Sequence, residues 1–205
     1  MDNSDTYISQ PENDGTSSNK KGKVFLSNLH DIVILVAVIL LVFSVLLRVV
    51  IVSGHSMNDT LVNGDCLLLL SNLFYREPER GDIIVARKAD FEDGKPIIKR
   101  VIATEGQKVN IDFDAGIVYV DDVALDEPYT LTPTTLHEGV SFPLTVDKGC
   151  VFVLGDNRDE SKDSRSPEIG LIDCREILGK AIFVLFPGDD DGDIQRDLSR
   201  IGVIS

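Results

Sequence analysis

Nine residues, Ser53-Gly54-His55-Ser56-Met57-Asn58-Asp59-Thr60-Leu61, set a hydroxyl among small residues directly after the one strongly apolar run of the chain. Ser56 is the candidate nucleophile, and a serine hydroxyl attacks a carbonyl only if something takes its proton. The histidines are His30, His55 and His137. His30 precedes the apolar run, His55 adjoins Ser56 where chain neighbours point apart, and His137 lies in a Thr/Pro-rich stretch with no evident carboxylate partner. A Ser-His-Asp triad therefore has little in its favour. Lysine is the other option. In Pro96-Ile97-Ile98-Lys99-Arg100-Val101-Ile102, strand alternation puts Ile97, Lys99 and Val101 on one face and Ile98, Arg100 and Ile102 on the other. A lysine on an apolar face is desolvated, which lowers its pKa from ~10.4 toward the range of a general base. The same pattern fits an edge strand whose Lys99 snorkels to water, so periodicity alone leaves both readings open. The third feature is Gly155-Asp156-Asn157-Arg158-Asp159-Glu160-Ser161-Lys162-Asp163-Ser164-Arg165, entered from the apolar run 150–154. Its side chains can bond their own backbone and each other in an ordered polar turn; a solvated loop with incidental ion pairs is the plainer alternative.

The elements that must position these residues follow from patterning. Residues 1–19 are rich in Asp, Asn, Ser, Thr and Gly, a composition that cannot bury enough surface to order itself, and read as a disordered tail. Lys20, Lys21 and Lys23 follow. Residues 32–52 carry a single charge, Arg48, and are long enough to span a bilayer, which needs ~20 residues. The length exceeds a signal-peptide core and no small-x-small cleavage site closes it, so an uncleaved anchor is expected. The lysines before it predict a cytoplasmic N-terminus. The expected organisation is a cytoplasmic tail over 1–29, a transmembrane anchor over 30–52 and an extracytoplasmic domain over 53–205.

Beyond the anchor, short β-type runs at 66–70, 83–87, 97–104, 109–113, 117–120, 123–125, 150–154 and 178–186 are divided by Gly, Pro, Asp and Asn. Their spacing predicts a mostly β fold, an antiparallel barrel or sandwich. The clearest hairpin turns at Asp121-Asp122. Residues 129–147, rich in Thr and Pro, read as a long loop. The cluster Asp189-Asp190-Asp191-Gly192-Asp193 fails the spacing of a calcium loop and reads as a solvated acidic turn. Net charge is −14, a surface that repels phosphate backbones and argues against nucleic-acid partners. Cys66, Cys150 and Cys174 have no metal-ligand spacing, so no metal is expected.

In order and spacing, Gly54-His55-Ser56-Met57 with Thr60-Leu61, Gly81-Asp82-Ile83-Ile84, Lys99-Arg100-Val101-Ile102, and Gly155-Asp156-Asn157-Arg158-Asp159 with Ser161, Asp163, Ser164 and Arg165 resemble the sequence boxes of bacterial type I signal peptidases. The resemblance spans residues from about 30 to 186. It implies a Ser-Lys dyad: Ser56 the nucleophile, Lys99 the general base, Ser161 orienting the lysine amine, Asp163 and Arg165 a supporting charge pair. The backbone N–H of Ser56 would donate to the oxyanion. Some family members add a serine hydroxyl two positions before the nucleophile, where this chain has Gly54. Two other positions depart from the usual pattern, Asp59 for Pro and Glu160 for Asn. The resemblance further implies a membrane-anchored endopeptidase that removes signal peptides from exported pre-proteins, with small residues at the first and third positions before the cut. It needs no cofactor. Its partners would be the pre-protein, the lipid bilayer and the export machinery, and an inserted segment would fall near 105–150. A tethered binder that captures signal peptides without cutting, and a self-cleaving Ser-Lys regulator, are the competing expectations.

Overall fold

A computed structural model describes residues 16–89, 91–189 and 196–204, which form two units, one up to Phe43 and one from Ser44 onward. The described part of the first is helix α1, Thr16–Leu46, whose last turn belongs to the second. Its Leu29–Leu46 stretch is long and apolar enough to cross a membrane, and its large side chains are broadly exposed. The helix takes in residues 16–19 of the expected tail, because extending a helix is far easier than starting one. The rest of that tail, residues 1–15, lies outside the described residues.

The apolar run does not stay helical to residue 52. Strand β1, Leu47–Ile51, pairs antiparallel with β2, Cys66–Ser71, in register from Leu47↔Leu70 to Ile51↔Cys66. Val49, Val50 and Ile51 are β-branched and stiff at χ1, so a pleated surface suits them better than a helix. Hydropathy does not separate the two states, but a strand partner does.

The chain continues through β3 (Ile83–Arg87), β4 (Pro96–Thr104), β5 (Lys108–Asp112), β6 (Ile117–Val120), β7 (Val123–Ala124), β8 (Leu144–Thr145), β9 (Cys150–Leu154), β10 (Ile172–Asp173), β11 (Ile177–Phe186) and β12 (Gly202–Val203). Every pairing is antiparallel. The larger sheet runs β1-β2-β11-β3-β4-β9-β10, with β12 beside β11, and the smaller runs β7-β6-β5-β8. The fold is mostly antiparallel β, as patterning predicts, but no closed barrel forms among the described residues: the larger sheet ends on β1 and β10. One reason lies in β4. It pairs with β3 from Pro96 to Arg100 and with β9 only from Arg100 to Thr104, with a register shift after Val101. The edge of its first half is left without a strand on that side.

The smaller sheet is built from residues between β4 and β9, which pair directly. Its β6–β7 hairpin turns on Asp121 (φ 52°) and Asp122 (φ 64°), the two left-handed residues a type I′ turn requires. Val109, Val118 and Val120 join it to Ile102, Phe152 and Leu154 of the larger sheet in one buried cluster; burying each such side chain is worth about 1.5–3 kcal/mol. The long loop is present, and it is tied down: Leu131 N donates to Asp156 O at 3.1 Å and Val140 N to Arg165 O at 3.0 Å. All three cysteines are free and half-buried. Burial pushes the Cys150 and Cys174 thiols up, which disfavours the reactive thiolate.

Candidate active site

Ser56 sits in the turn that leads from β1 to β2, and Lys99 lies within β4 opposite Ile84 of β3. The fold brings them together: Lys99 Nζ donates to Ser56 Oγ at 2.7 Å. Lys99 is 6% exposed, so it does not snorkel to water. Ile97 and Val101, its face-mates by alternation, pack in one apolar cluster with Ile84, while Ile98 belongs to another.

The segment after β9 closes over the turn that carries Ser56. Asn157 N donates to Ser56 O at 3.1 Å, and Asn157 Nδ2 to His55 O at 3.2 Å. The approach is so close that a Cβ on Gly155 would lie 2.4 Å from Ser56 O and 2.1 Å from Ser161 Oγ, which only a glycine avoids. Ser161 Oγ donates to Asp163 Oδ2 at 2.8 Å, and Gly155 N donates to the same oxygen at 3.1 Å. A hydroxyl has one proton, so toward any further partner the Ser161 oxygen acts only as an acceptor. Arg165 grips Asp163 through Nε to Oδ1 and Nη2 to Oδ2, both 2.9 Å. Burial works against the guanidinium charge, but the hydrogen bonds and charge of Asp163 outweigh it and raise the Arg165 pKa. This is an ordered assembly rather than a solvated loop, because Asp163 and Arg165 are both fully buried.

Two buried ion pairs around the site were not legible in sequence. Arg100, next to Lys99 but facing the other way, donates Nε and Nη2 to Asp156 Oδ1 and Oδ2 at 2.9 and 2.8 Å. Thr60 Oγ1 donates to the same carboxylate at 2.6 Å, and the Arg100 guanidinium lies 3.9 Å above the Tyr129 ring. Arg158 pairs with Glu127 at 2.6 Å across 31 residues. Alternation signals that Arg100 turns inward, but among 34 acidic residues it cannot name the partner.

Glu138 reaches Arg165 at 3.1 Å from the long loop. Burial first, then the charge of Asp163, raises the Glu138 pKa above its ordinary 4.5. A raised carboxyl favours the fold while protonated and loses that contribution as pH rises through the folded-state pKa. Glu138→Gln is therefore expected to stabilise the protein at pH 8 and to change little at pH 4. Urea midpoints at the two pH values test this; a loss of stability at pH 8 contradicts it.

A cleft of about 490 Å³ opens beside the Ser56–Lys99 contact, lined by residues 50–57 on one side and by Phe91, 95–99, Glu160 and Lys162 on the other. Two strand edges flank it: β1, whose only strand partner among the described residues is β2, and the first half of β4. His55 lines the cleft and is exposed. His137 is engaged elsewhere, accepting from Gly139 N and meeting Phe113 edge-on at 4.8 Å. Asp59 is exposed, as is Glu160 on the cleft wall.

The sequence model of the family described as "Signal peptidase, peptidase S26" matches residues 25–186. Signal peptidase I of Bacillus licheniformis is 35% identical over 179 residues, covering 83% of this chain and 93% of its own length. Signal peptidase I T of Bacillus subtilis strain 168 is 35% identical over 180 residues, covering 83% and 90%. Probable signal peptidase I-1 of Synechocystis sp. is 35% identical over 150 residues, covering 70% and 73%. With most of its described length matched and a serine hydroxyl held against a buried lysine amine, the chain belongs to the signal peptidase family, peptidase S26, and is a hydrolase of the signal peptidase I type.

Proposed function

We propose that the chain cleaves signal peptides from exported pre-proteins with Ser56 as nucleophile and Lys99 as general base. The observation that carries this reading is the 2.7 Å contact between a buried Lys99 Nζ and Ser56 Oγ. Burial disfavours the ammonium form, so the amine can take the Ser56 proton as Oγ bonds to the scissile carbonyl carbon. The carbonyl oxygen gains the negative charge, and the Ser56 N–H is the donor assigned to it. Collapse of the tetrahedral species breaks the C–N bond, and the proton held on Lys99 goes to the leaving amine. Water, activated by the same amine, then hydrolyses the acyl-enzyme and restores both groups.

Ser161 is assigned to orient Lys99 and the Asp163–Arg165 pair to hold Ser161. The hydrogen bond from Ser161 to Asp163 supports this, since it leaves the Ser161 lone pairs to receive an amine proton. Ser161→Ala is expected to lower kcat by roughly 10- to 100-fold, less than either dyad change. Full activity in that variant contradicts the assignment.

The substrate is proposed to bind extended between the β1 edge and the free edge of β4, main chain to main chain. Apolar walls from Val50, Val52, Met57 and Ile98 support small side chains at the first and third positions before the cut. The apolar helix supports membrane anchoring over Leu29–Leu46, short of the expected 30–52 because 47–51 is strand β1, with the basic N-terminal flank inside and the β domain, including the insert near 105–150, outside. Ser56 follows Leu46 by ten residues, so tethering raises its effective concentration toward a membrane-bound substrate. Such an enzyme also meets the export machinery.

The test is incubation of the detergent-solubilised full chain with a purified pre-protein, with products read by mass spectrometry. Cleavage after a small residue supports the reading. An intact pre-protein that still binds the folded enzyme favours the tethered binder instead.

A further inference from the structure

The family match ends at residue 186, but the chain beyond it returns to the turn that carries Ser56. Strand β12 pairs with β11, Phe183↔Val203 and Val184↔Gly202, and Ile204 N donates to Ile182 O at 3.1 Å. Ile204 packs against the apolar cluster that contains Val52, Met57 and Leu61, the residues on either side of Ser56. Ahead of β12, Asp197 caps a short turn at Leu198–Arg200, accepting from Ser199 N at 3.0 Å, which fixes the backbone of Arg200.

From that turn Arg200 reaches back 135 residues. Its Nη1 and Nη2 donate to Asp65 Oδ1 and Oδ2 at 3.0 and 2.7 Å, and Nη2 also lies 3.3 Å from Thr60 O. Asp65 is fully buried. Its carboxylate also accepts from Val62 N at 2.8 Å and Gly188 N at 2.7 Å, while Asp65 O accepts from Val52 N at 2.8 Å. Asp65 thus ties both ends of the 52–65 turn, its backbone oxygen holding Val52 and its carboxylate holding Val62, and Arg200 is the countercharge of that carboxylate. The turn is held from two sides: by Asn157 and Asp156, acting on Ser56 O and Thr60 Oγ1, and by Arg200, acting on Thr60 O and Asp65. These contacts bracket Met57–Leu61, the stretch that directly follows Ser56.

We propose that Arg200 is a positioning residue for the Ser56–Lys99 pair, and that residues 196–204 complete the catalytic domain although the family match stops before them. This rests on the cleavage function proposed above. Arg200 touches neither Ser56 nor the cleft, so its loss acts on kcat through Ser56 geometry and leaves substrate binding alone. A displacement of the nucleophile by about 1 Å reduces turnover by roughly 10- to 100-fold.

The experiment compares the full chain with Arg200→Met and Arg200→Lys, by steady-state cleavage of a soluble pre-protein well below the melting temperature and by amide hydrogen exchange across residues 55–65. Expected are a kcat reduced roughly 10- to 100-fold in Arg200→Met, a smaller drop in Arg200→Lys, KM within about twofold of wild type, and faster exchange at Leu61, Val62 and Asp65. The lysine variant keeps the countercharge but not the forked contact, so it serves if Arg200→Met fails to fold. A lower melting temperature with unchanged kcat makes Arg200 merely structural and overturns the proposal, as does unchanged exchange in the turn. Absence of cleavage by wild type overturns the cleavage reading itself, and with it the catalytic part of this one, while the exchange data still report on the clamp.

Discussion

Lys99→Met is expected to abolish pre-protein cleavage, by roughly 10³-fold or more, and Ser56→Ala to do the same, with the double variant no worse than either. The non-additivity is the sharper half of the expectation. If Nζ and Oγ act as one unit across their 2.7 Å contact, removing the second partner removes nothing further. Lys99→Arg should be as inactive as Lys99→Met, because a guanidinium cannot give up its proton near neutral pH. Lys99→Met and Ser56→Ala should leave a folded protein. At a site 6% exposed, methionine fills the volume of the lysine stem without an amine to satisfy, and such replacements are close to neutral. The readout is product mass per enzyme per unit time, with circular dichroism confirming the fold. Near-normal cleavage by Lys99→Met would make another base necessary, and His55, which lines the same cleft, would be first to test.

Asp156→Ala is expected to destabilise the protein by about 3–5 kcal/mol, the range for removing one partner of a buried pair. Arg100 would remain, 2% exposed, with Gly81 O, Thr60 Oγ1 and the Tyr129 ring as its other contacts. None of them neutralises its charge. At a slope of about 2 kcal/mol/M in urea, the midpoint falls by about 2 M, followed by far-UV circular dichroism in detergent. Arg100→Met combined with Asp156→Leu should recover most of the loss, since apolar side chains of similar volume often replace a buried ion pair at little cost. The double change will not recover cleavage, because Asp156 also holds Thr60 in the turn beside Ser56. A loss under ~1 kcal/mol in Asp156→Ala would mean that water reaches the pair and screens it, as at a surface.

Part of this molecule could be read directly from the chain. The β3, β6 and β9 runs at 83–87, 117–120 and 150–154 are strands with those bounds, because alternation and β-branched content are local properties. The Asp121-Asp122 turn is equally local, set by two residues that tolerate positive φ. The period of two in β4 also put Lys99 and Arg100 on opposite faces, and both are buried there. For β1 the same kind of reading went astray: 47–51 is as apolar as the helix before it, and only pairing with β2 makes it a strand. The two-residue strands β8, β10 and β12 carry no period and exist because a neighbour supplies the ladder.

The sequence by itself determined which groups could react: one serine in a small-residue turn, one lysine on an apolar face, and a polar segment dense in mutual hydrogen-bonding partners. Tertiary structure alone decided the pairings. Ser56 meets Lys99 across 43 residues, Arg100 meets Asp156 across 56, and Arg200 meets Asp65 across 135. Such contacts leave no trace in spacing, because each partner satisfies its own local pattern and the many other acidic and basic residues offer equivalent charges. The choice among them is made when strands pair and exclude water, for an unpaired charge is tolerable at the surface and expensive inside.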